Sequence, residues 1–165
     1  MKIKRTSLLL VVPTLLFFLA TSLASPSDSA SLKGKKRDAV IATALSLLGQ
    51  SYEFGGSGKG GFDCSGFVMY VYQKNGIPMA RTAKKQFHGG NPVERTSLKP
   101  GDLVFFIINE DTISHVGIYL GAGKFIHAPS KGKNIEVSSL SNSYWKKHFA
   151  GAVTYIEKKK EVYTI

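Results

Sequence analysis

An α+β fold is predicted by the order of two hydrophobic rhythms along the 165 residues. Helical spacing fills the first half, alternating and β-branched runs fill the second, and Lys99-Pro100-Gly101-Asp102 marks the turn between them. A hydrophobic content of 43% supports one compact core without disulfides, and the single cysteine, Cys64, could not form one within the chain.

The N-terminus has the pattern of a secretory signal. Lys2, Lys4 and Arg5 precede an apolar run at 8–20, and Ser22-Leu23-Ala24 fits cleavage after Ala24. The run is shorter than the roughly 20 residues that cross a bilayer, so an exported protein with no stable membrane span is expected, with a retained anchor as the competing reading. No cysteine follows the run to accept a lipid. Residues 25–37 are Ser-, Lys- and Gly-rich and are expected to form a flexible tether, leaving a domain over 38–158 and a tail at 159–165.

Asp38 is placed to cap a first helix whose Val40, Ile41, Ala44, Leu45 and Leu48 keep helical spacing up to Gly49. Residues 55–61 form a glycine-rich loop that lacks the Gly-Lys-Ser/Thr ending of a phosphate loop. From Cys64 onward, Phe67, Val68, Val71 and Tyr72 repeat at helical spacing until Asn75-Gly76 and Pro78 stop the helix. A short helix is expected over 82–87, and strands over 103–108, 114–120, 124–128, 134–138 and 152–156. The whole reads as N-terminal helices, one with cysteine at its start, on a mostly antiparallel sheet of five or six strands.

Cys64 stands between Asp63 and Ser65, a polar collar unsuited to an apolar core. A helix N-terminus offers unpaired amide hydrogens and a dipole that favour thiolate, so the thiol is expected to be reactive. A thiol nucleophile needs a base, and the base needs a group that orients it. His115 and His127 supply candidates. If Gly121-Ala122-Gly123 is the hairpin loop, Leu120 pairs with Lys124 and His127 faces Gly117, on the same sheet face as His115. The imidazoles are then diagonal neighbours about 7–8 Å apart at the backbone, with open space over Gly117. A loop one residue shorter would place them on opposite faces. Zinc held by Cys64, His115, His127 and perhaps Asp63 is the alternative, disfavoured because the closely spaced ligand pairs of structural sites are missing. His88 and His148 have polar or glycine neighbours and are expected at the surface.

The chain resembles the NlpC-type cell-wall peptidases, a papain-like family. The resemblance rests on Ser51-Tyr52-Glu53-Phe54-Gly55-Gly56, Asp63-Cys64-Ser65-Gly66-Phe67, the run 98–106, His115-Val116-Gly117-Ile118-Tyr119-Leu120-Gly121 and Phe125-Ile126-His127-Ala128. It implies that Cys64 attacks a peptide carbonyl, His115 serves as base and then acid, and His127 orients His115. It also implies that Tyr52 lies at the active site, and that Asp63 and Ser65 receive a free stem-peptide amine where one is required. Asp63 reads equally as an N-cap or a partner for a cation. The Cys64 amide, at a helix start, is suited to stabilise an oxyanion. Ser143-Tyr144-Trp145-Lys146-Lys147 resembles the MepS-type branch, which cuts cross-links between stems. Those relatives are commonly lipoproteins, and because this chain lacks the lipid-accepting cysteine, membrane anchoring is not expected. The expected substrates are peptidoglycan peptides, with no cofactor. Cleavage between D-glutamate and the diamino acid of one stem is the alternative, followed by a wall-targeting amidase toxin and a silent wall-binding module.

The net charge is +11, and removing the three cations Lys2, Lys4 and Arg5 leaves +8. For an exported chain this suits the anionic cell envelope. Nucleic acid is not expected, since the basic residues are scattered apart from 33–37, 81–85 and 158–160 and show no repeating aromatic face. A monomer is expected.

Overall fold

The structure, a computed structural model, describes residues 26–108 and 111–156. The expected signal and the tail at 159–165 lie outside the described residues. The elements are α1 (Pro26–Leu45), β1 (Ser57–Gly58), β2 (Gly61–Phe62), α2 (Cys64–Lys74), α3 (Ala83–Gly89), β3 (Asn91–Pro92), a 3-10 turn (Arg95–Ser97), β4 (Leu103–Phe106), β5 (His115–Gly121), β6 (Lys124–His127), β7 (Glu136–Ser139), α4 (Ser143–His148) and β8 (Phe149–Thr154). The expected α+β class and sheet size are borne out: six strands run in the order β3-β8-β4-β5-β6-β7, each pair antiparallel, beside a small β1-β2 hairpin. The hairpin occupies the loop expected over 55–61.

The expected tether is corrected. Residues 26–37 are helical, and Asp38 sits inside α1 instead of capping it. Residues 30–36 are exposed, so no core holds them. Ala30, Leu32, Lys33, Lys35 and Lys36 are good helix formers that extend a helix already anchored further on, and Pro26 needs no amide partner in the first turn. The anchor is Arg37. Its guanidinium donates to Pro100 O at 2.6 Å and pairs with the buried Asp102 at 2.9 Å. Asp102 also accepts from the Lys99 amide, and the Tyr72 hydroxyl donates to Gly101 O, which clamps the changeover turn between two helices and the sheet. The helix ends earlier than expected, at Leu45. Leu45 and Leu48 point outward, 44% and 52% exposed, while Val40 and Ala44 are fully buried.

The sheet is covered on both faces, as its continuous burial requires. In β4, Leu103 and Phe105 pack towards α1 and α2 with Val40, Phe67, Val71, Val116, Ile118 and Ile126. Val104 and Phe106 point the other way, joining Phe125, Leu140 and Ala152 in a second core closed by Trp145 and Phe149. The helix carrying Trp145, α4, escaped the sequence reading because six residues show too little periodicity.

Candidate active site

Asp63 adopts extended backbone before α2 and its Oδ1 accepts from the Gly66 amide at 2.7 Å, capping the helix that begins with Cys64. Its Oδ2 accepts from the Gly55 amide at 3.1 Å and from Arg81 Nη2 at 2.5 Å, while Arg81 Nη1 reaches both Asp63 Oδ1 and Ser65 Oγ at 3.0 Å. Asp63 is therefore N-cap and cation partner at once. Burial raises its pKa, but the Arg81 hydrogen bonds and charge and the Gly66 amide outweigh that and hold it below the ordinary carboxylate value. Arg81, read from sequence as one of a surface basic cluster, is a structural ion-pair partner. Gly66 fits because the Gly56 carbonyl occupies the place of a side chain, 2.0 Å from where a Cβ would stand. The glycine-rich loop thus packs directly on the first turn of α2.

The histidines come from the other side of the sheet. His115 lies opposite Phe106 in the β4-β5 register, on the face of the second core. Cys64 reaches that side at the N-terminal end of β5, where its sulfur is 4.0 Å from Ser114 O. Cys64 and His115 line one cavity of about 700 Å³ together with Tyr52, Ser114, Lys133, Glu136, Ser138, Tyr144 and Trp145. Asp63 and Ser65 are not among its walls, and Ser65 is buried.

His115 Nε2 and His127 Nδ1 are 2.9 Å apart. The hairpin arrives at this pairing by a different route from the one expected. Gly121 pairs with Lys124, so the loop is the two residues Ala122 and Gly123, both with positive φ as a type I′ turn requires. That shorter loop alone would have reversed the parity. A register shift between Tyr119 and Gly121 inserts one residue and restores it, with Ile118 opposite Ile126. The space over Gly117 is not open, however. The Phe125 ring, Ile126 O and His127 Cβ fill it, and a Cβ there would lie 2.6 Å from Phe125.

Trp145 completes the aromatic surround. Its ring stacks on His115 at 5.4 Å and 25°, and meets His127 edge-on at 4.8 Å. Beyond His127, Nε2 is 3.1 Å from Ser138 Oγ and 3.9 Å from Glu136 Oε1. Ser138 was not singled out from sequence, because a serine in a strand carries no signal until its neighbour across the sheet is known.

Charge is scarce on this flank. Burial holds His115 down to about 4, and burial, then His115 and Lys133, hold His127 down to about 2, so both rings are neutral at pH 7. Burial also pushes the Cys64 thiol up to about 11, with the Asp63 charge adding to it, against weaker opposing pulls from the Val116, Ser65 and Cys64 amides. The expected resting thiolate is corrected: desolvation outweighs the helix N-terminus. Tyr52, which lines the same cavity as Cys64, is raised as well, by burial and then by the negative forms of Cys64 and Asp63. His88 is exposed and His148 partly so, and neither lines the cavity. Among the described residues no group of three His, Cys, Asp or Glu side chains is placed to hold a metal. The Asp63 carboxylate that the zinc reading would have enlisted is paired with Arg81.

Residues 49–154 match the model of the NlpC/P60 family. The chain is 43% identical over 134 residues to the murein DD-endopeptidase MepH of Escherichia coli (strain K12), covering 76% of this chain and 49% of that protein. It is 40% identical over 117 residues to the gamma-D-glutamyl-L-lysine dipeptidyl-peptidase of Bacillus subtilis (strain 168), covering 70% and 39%. Among solved structures, an NlpC/P60 family protein from Bacillus cereus ATCC 10987 gives a TM-score of 0.70 at 34% identity, covering 73% of this chain and 40% of that one. The NlpC/p60 domain of the peptidoglycan hydrolase SagA gives 0.63 at 34% identity, covering 72% and 97%. The chain spans half or less of the length of these curated relatives. With the family match extending from Gly49 to Thr154 and the same papain-like fold in solved members, this chain belongs to the NlpC/P60 family.

Proposed function

We propose that this chain is an exported cysteine peptidase that hydrolyses peptide bonds of peptidoglycan, using Cys64, His115 and His127. The observation that carries this reading is a lone thiol at a helix start sharing one cavity with an imidazole whose Nε2 is held by a second imidazole. His115 Nδ1 is then the nitrogen left for the sulfur. The Cys64 S–H proton passes to His115 Nδ1 as sulfur bonds to the carbonyl carbon, so the resting pair is neutral and charge appears only with substrate in place. The carbonyl oxygen takes the negative charge beside the Cys64 amide. His115 returns the proton to the leaving nitrogen as the C–N bond breaks, and a water deprotonated by His115 releases the thioester. Tyr52 borders the peptide, and the Trp145 ring keeps His115 in one orientation.

Cross-link cleavage is the bond choice we favour over cleavage beside D-glutamate. The free-amine site implied for Asp63 and Ser65 is filled by the Arg81 guanidinium, and neither residue borders the cavity. The named activity of MepH agrees with this choice, and that of the Bacillus subtilis dipeptidyl-peptidase represents the alternative. Export with cleavage near Ala24 fits a substrate outside the membrane, and among the described residues no helix is long and apolar enough to cross one.

Digestion of purified peptidoglycan, with the Cys64→Ala protein as control, tests both parts. Release of uncross-linked monomers by the native protein alone is expected. Shortened stems would replace the cross-link reading with the stem reading, and equal products from Cys64→Ala would end the thiol mechanism.

A further inference from the structure

Two neutral imidazoles joined by one hydrogen bond distribute two protons over four nitrogens. Between His115 Nε2 and His127 Nδ1, one atom must carry hydrogen and the other a lone pair. Two arrangements satisfy this. In one, both rings are protonated on Nε2, and His115 Nδ1 is a bare acceptor. In the other, both are protonated on Nδ1, and the nitrogen of His115 that remains is a donor, unable to take a proton from the thiol.

The far end of the chain decides between them. His127 Nε2 faces Ser138 Oγ at 3.1 Å and Glu136 Oε1 at 3.9 Å. Both come from one strand: Glu136 lies opposite His127 in the β6-β7 register, and Ser138 is two residues on, on the same face. A hydroxyl accepts as readily as it donates, whereas an ionised carboxylate only accepts. Ser138 Oγ, within hydrogen-bond distance, can accept a hydrogen from His127 Nε2, and the Glu136 carboxylate, too far to hydrogen-bond, favours that hydrogen through its charge alone. Lys133 on the same cavity wall opposes a second positive charge on the pair, which keeps the choice one between neutral forms.

We propose that Ser138 and Glu136 are positioning residues that set the tautomer of the histidine pair, leaving His115 Nδ1 unprotonated towards the cavity. Neither touches the scissile bond. They act through His127, two rings away from the sulfur, and give β7 a part in the chemistry. The kinetic half of the test rests on the proposed peptidase reading; the spectroscopic half does not.

The test is nitrogen-15 NMR of the full chain labelled at histidine, at pH 7, on the native protein, Ser138→Ala, Ser138→Thr and Glu136→Gln, with peptidoglycan kinetics alongside. The native spectrum is expected to show hydrogen on Nε2 of both buried rings. Ser138→Ala should move part of the His115 population to the Nδ1–H form and lower kcat about tenfold with KM held, the size of one lost hydrogen bond. Ser138→Thr, which keeps the hydroxyl, should restore both. Glu136→Gln, at a half-exposed position, should give a smaller shift in the same direction. Native Nδ1–H on His115 overturns the proposal, as do unchanged tautomers in both Ser138→Ala and Glu136→Gln. Should Ser138→Ala fail to fold, the native and Glu136→Gln spectra decide. A native protein without peptidoglycan activity would defeat the proposed function, and the spectra would still decide the tautomer.

Discussion

The two flanks of Cys64 are built on opposite electrostatic plans. On the helix flank, Asp63, Arg81, Ser65 and the Gly55 and Gly66 amides form a charged network in which every carboxylate oxygen is used. On the sheet flank, two neutral imidazoles sit among Phe106, Phe125 and Trp145, with charge kept to the rim at Lys133 and Glu136. In the proposed mechanism the difference separates fixing an atom in space from moving a proton. A satisfied ion pair holds position and does not respond to pH near neutrality. A pair of desolvated, uncharged rings accepts a proton only when a new negative charge forms beside it.

The largest effect expected from breaking this division is at the sulfur and its proposed base. In turnover assays on peptidoglycan, Cys64→Ala and His115→Ala should each lose roughly 10⁴- to 10⁶-fold in kcat with circular dichroism unchanged, while His127→Ala loses less. Next comes Trp145→Ala, which removes the ring packed on both histidines. It should destabilise the fold by about 2–4 kcal/mol in urea titration and lower kcat, and Trp145→Phe should recover most of both. On the helix flank, Asp63→Ala should cost about 1–3 kcal/mol of stability through the lost cap and the Arg81 partner, with a smaller effect on kcat per folded molecule.

The pH response sharpens the contrast. Buried neutral histidines bind fewer protons folded than unfolded between their lowered values, about 4 for His115, and the ordinary 6.5. Stability therefore rises with pH across that window and is lost as pH falls through it, visible as a falling urea midpoint. The acid limb of kcat/KM should lie well below 6.5, because His115 stays a free base down to about 4. The smallest effect expected is none: incubation with a strong chelator should leave the rate unchanged.

Much of this was legible in the chain. The α2 boundaries, the changeover turn and the four strands β4 to β7 follow from periodicity and from Pro-Gly and Asn-Gly signals, and Cys64, His115 and His127 follow from residue type and order. Other features were not. Arg81 reads as surface charge until Asp63 is seen beside it, 18 residues away in sequence. The tether reading failed because propensity and an anchor at Arg37 propagate a helix through polar residues. The hairpin is the clearest case. Its loop is two residues where the glycines suggest three, and the histidines meet only because a bulge compensates, which no local pattern records.

By itself, then, the sequence determined the class of fold and pointed to the groups of the proposed mechanism, since periodicity and chemistry are local properties. Tertiary structure alone decided their state. Desolvation makes Cys64 a thiol and the imidazoles neutral, and strand register sets Ser138 and Glu136 behind His127. Burial and register depend on residues far apart in the chain, and both arise only when the sheet closes between its two cores.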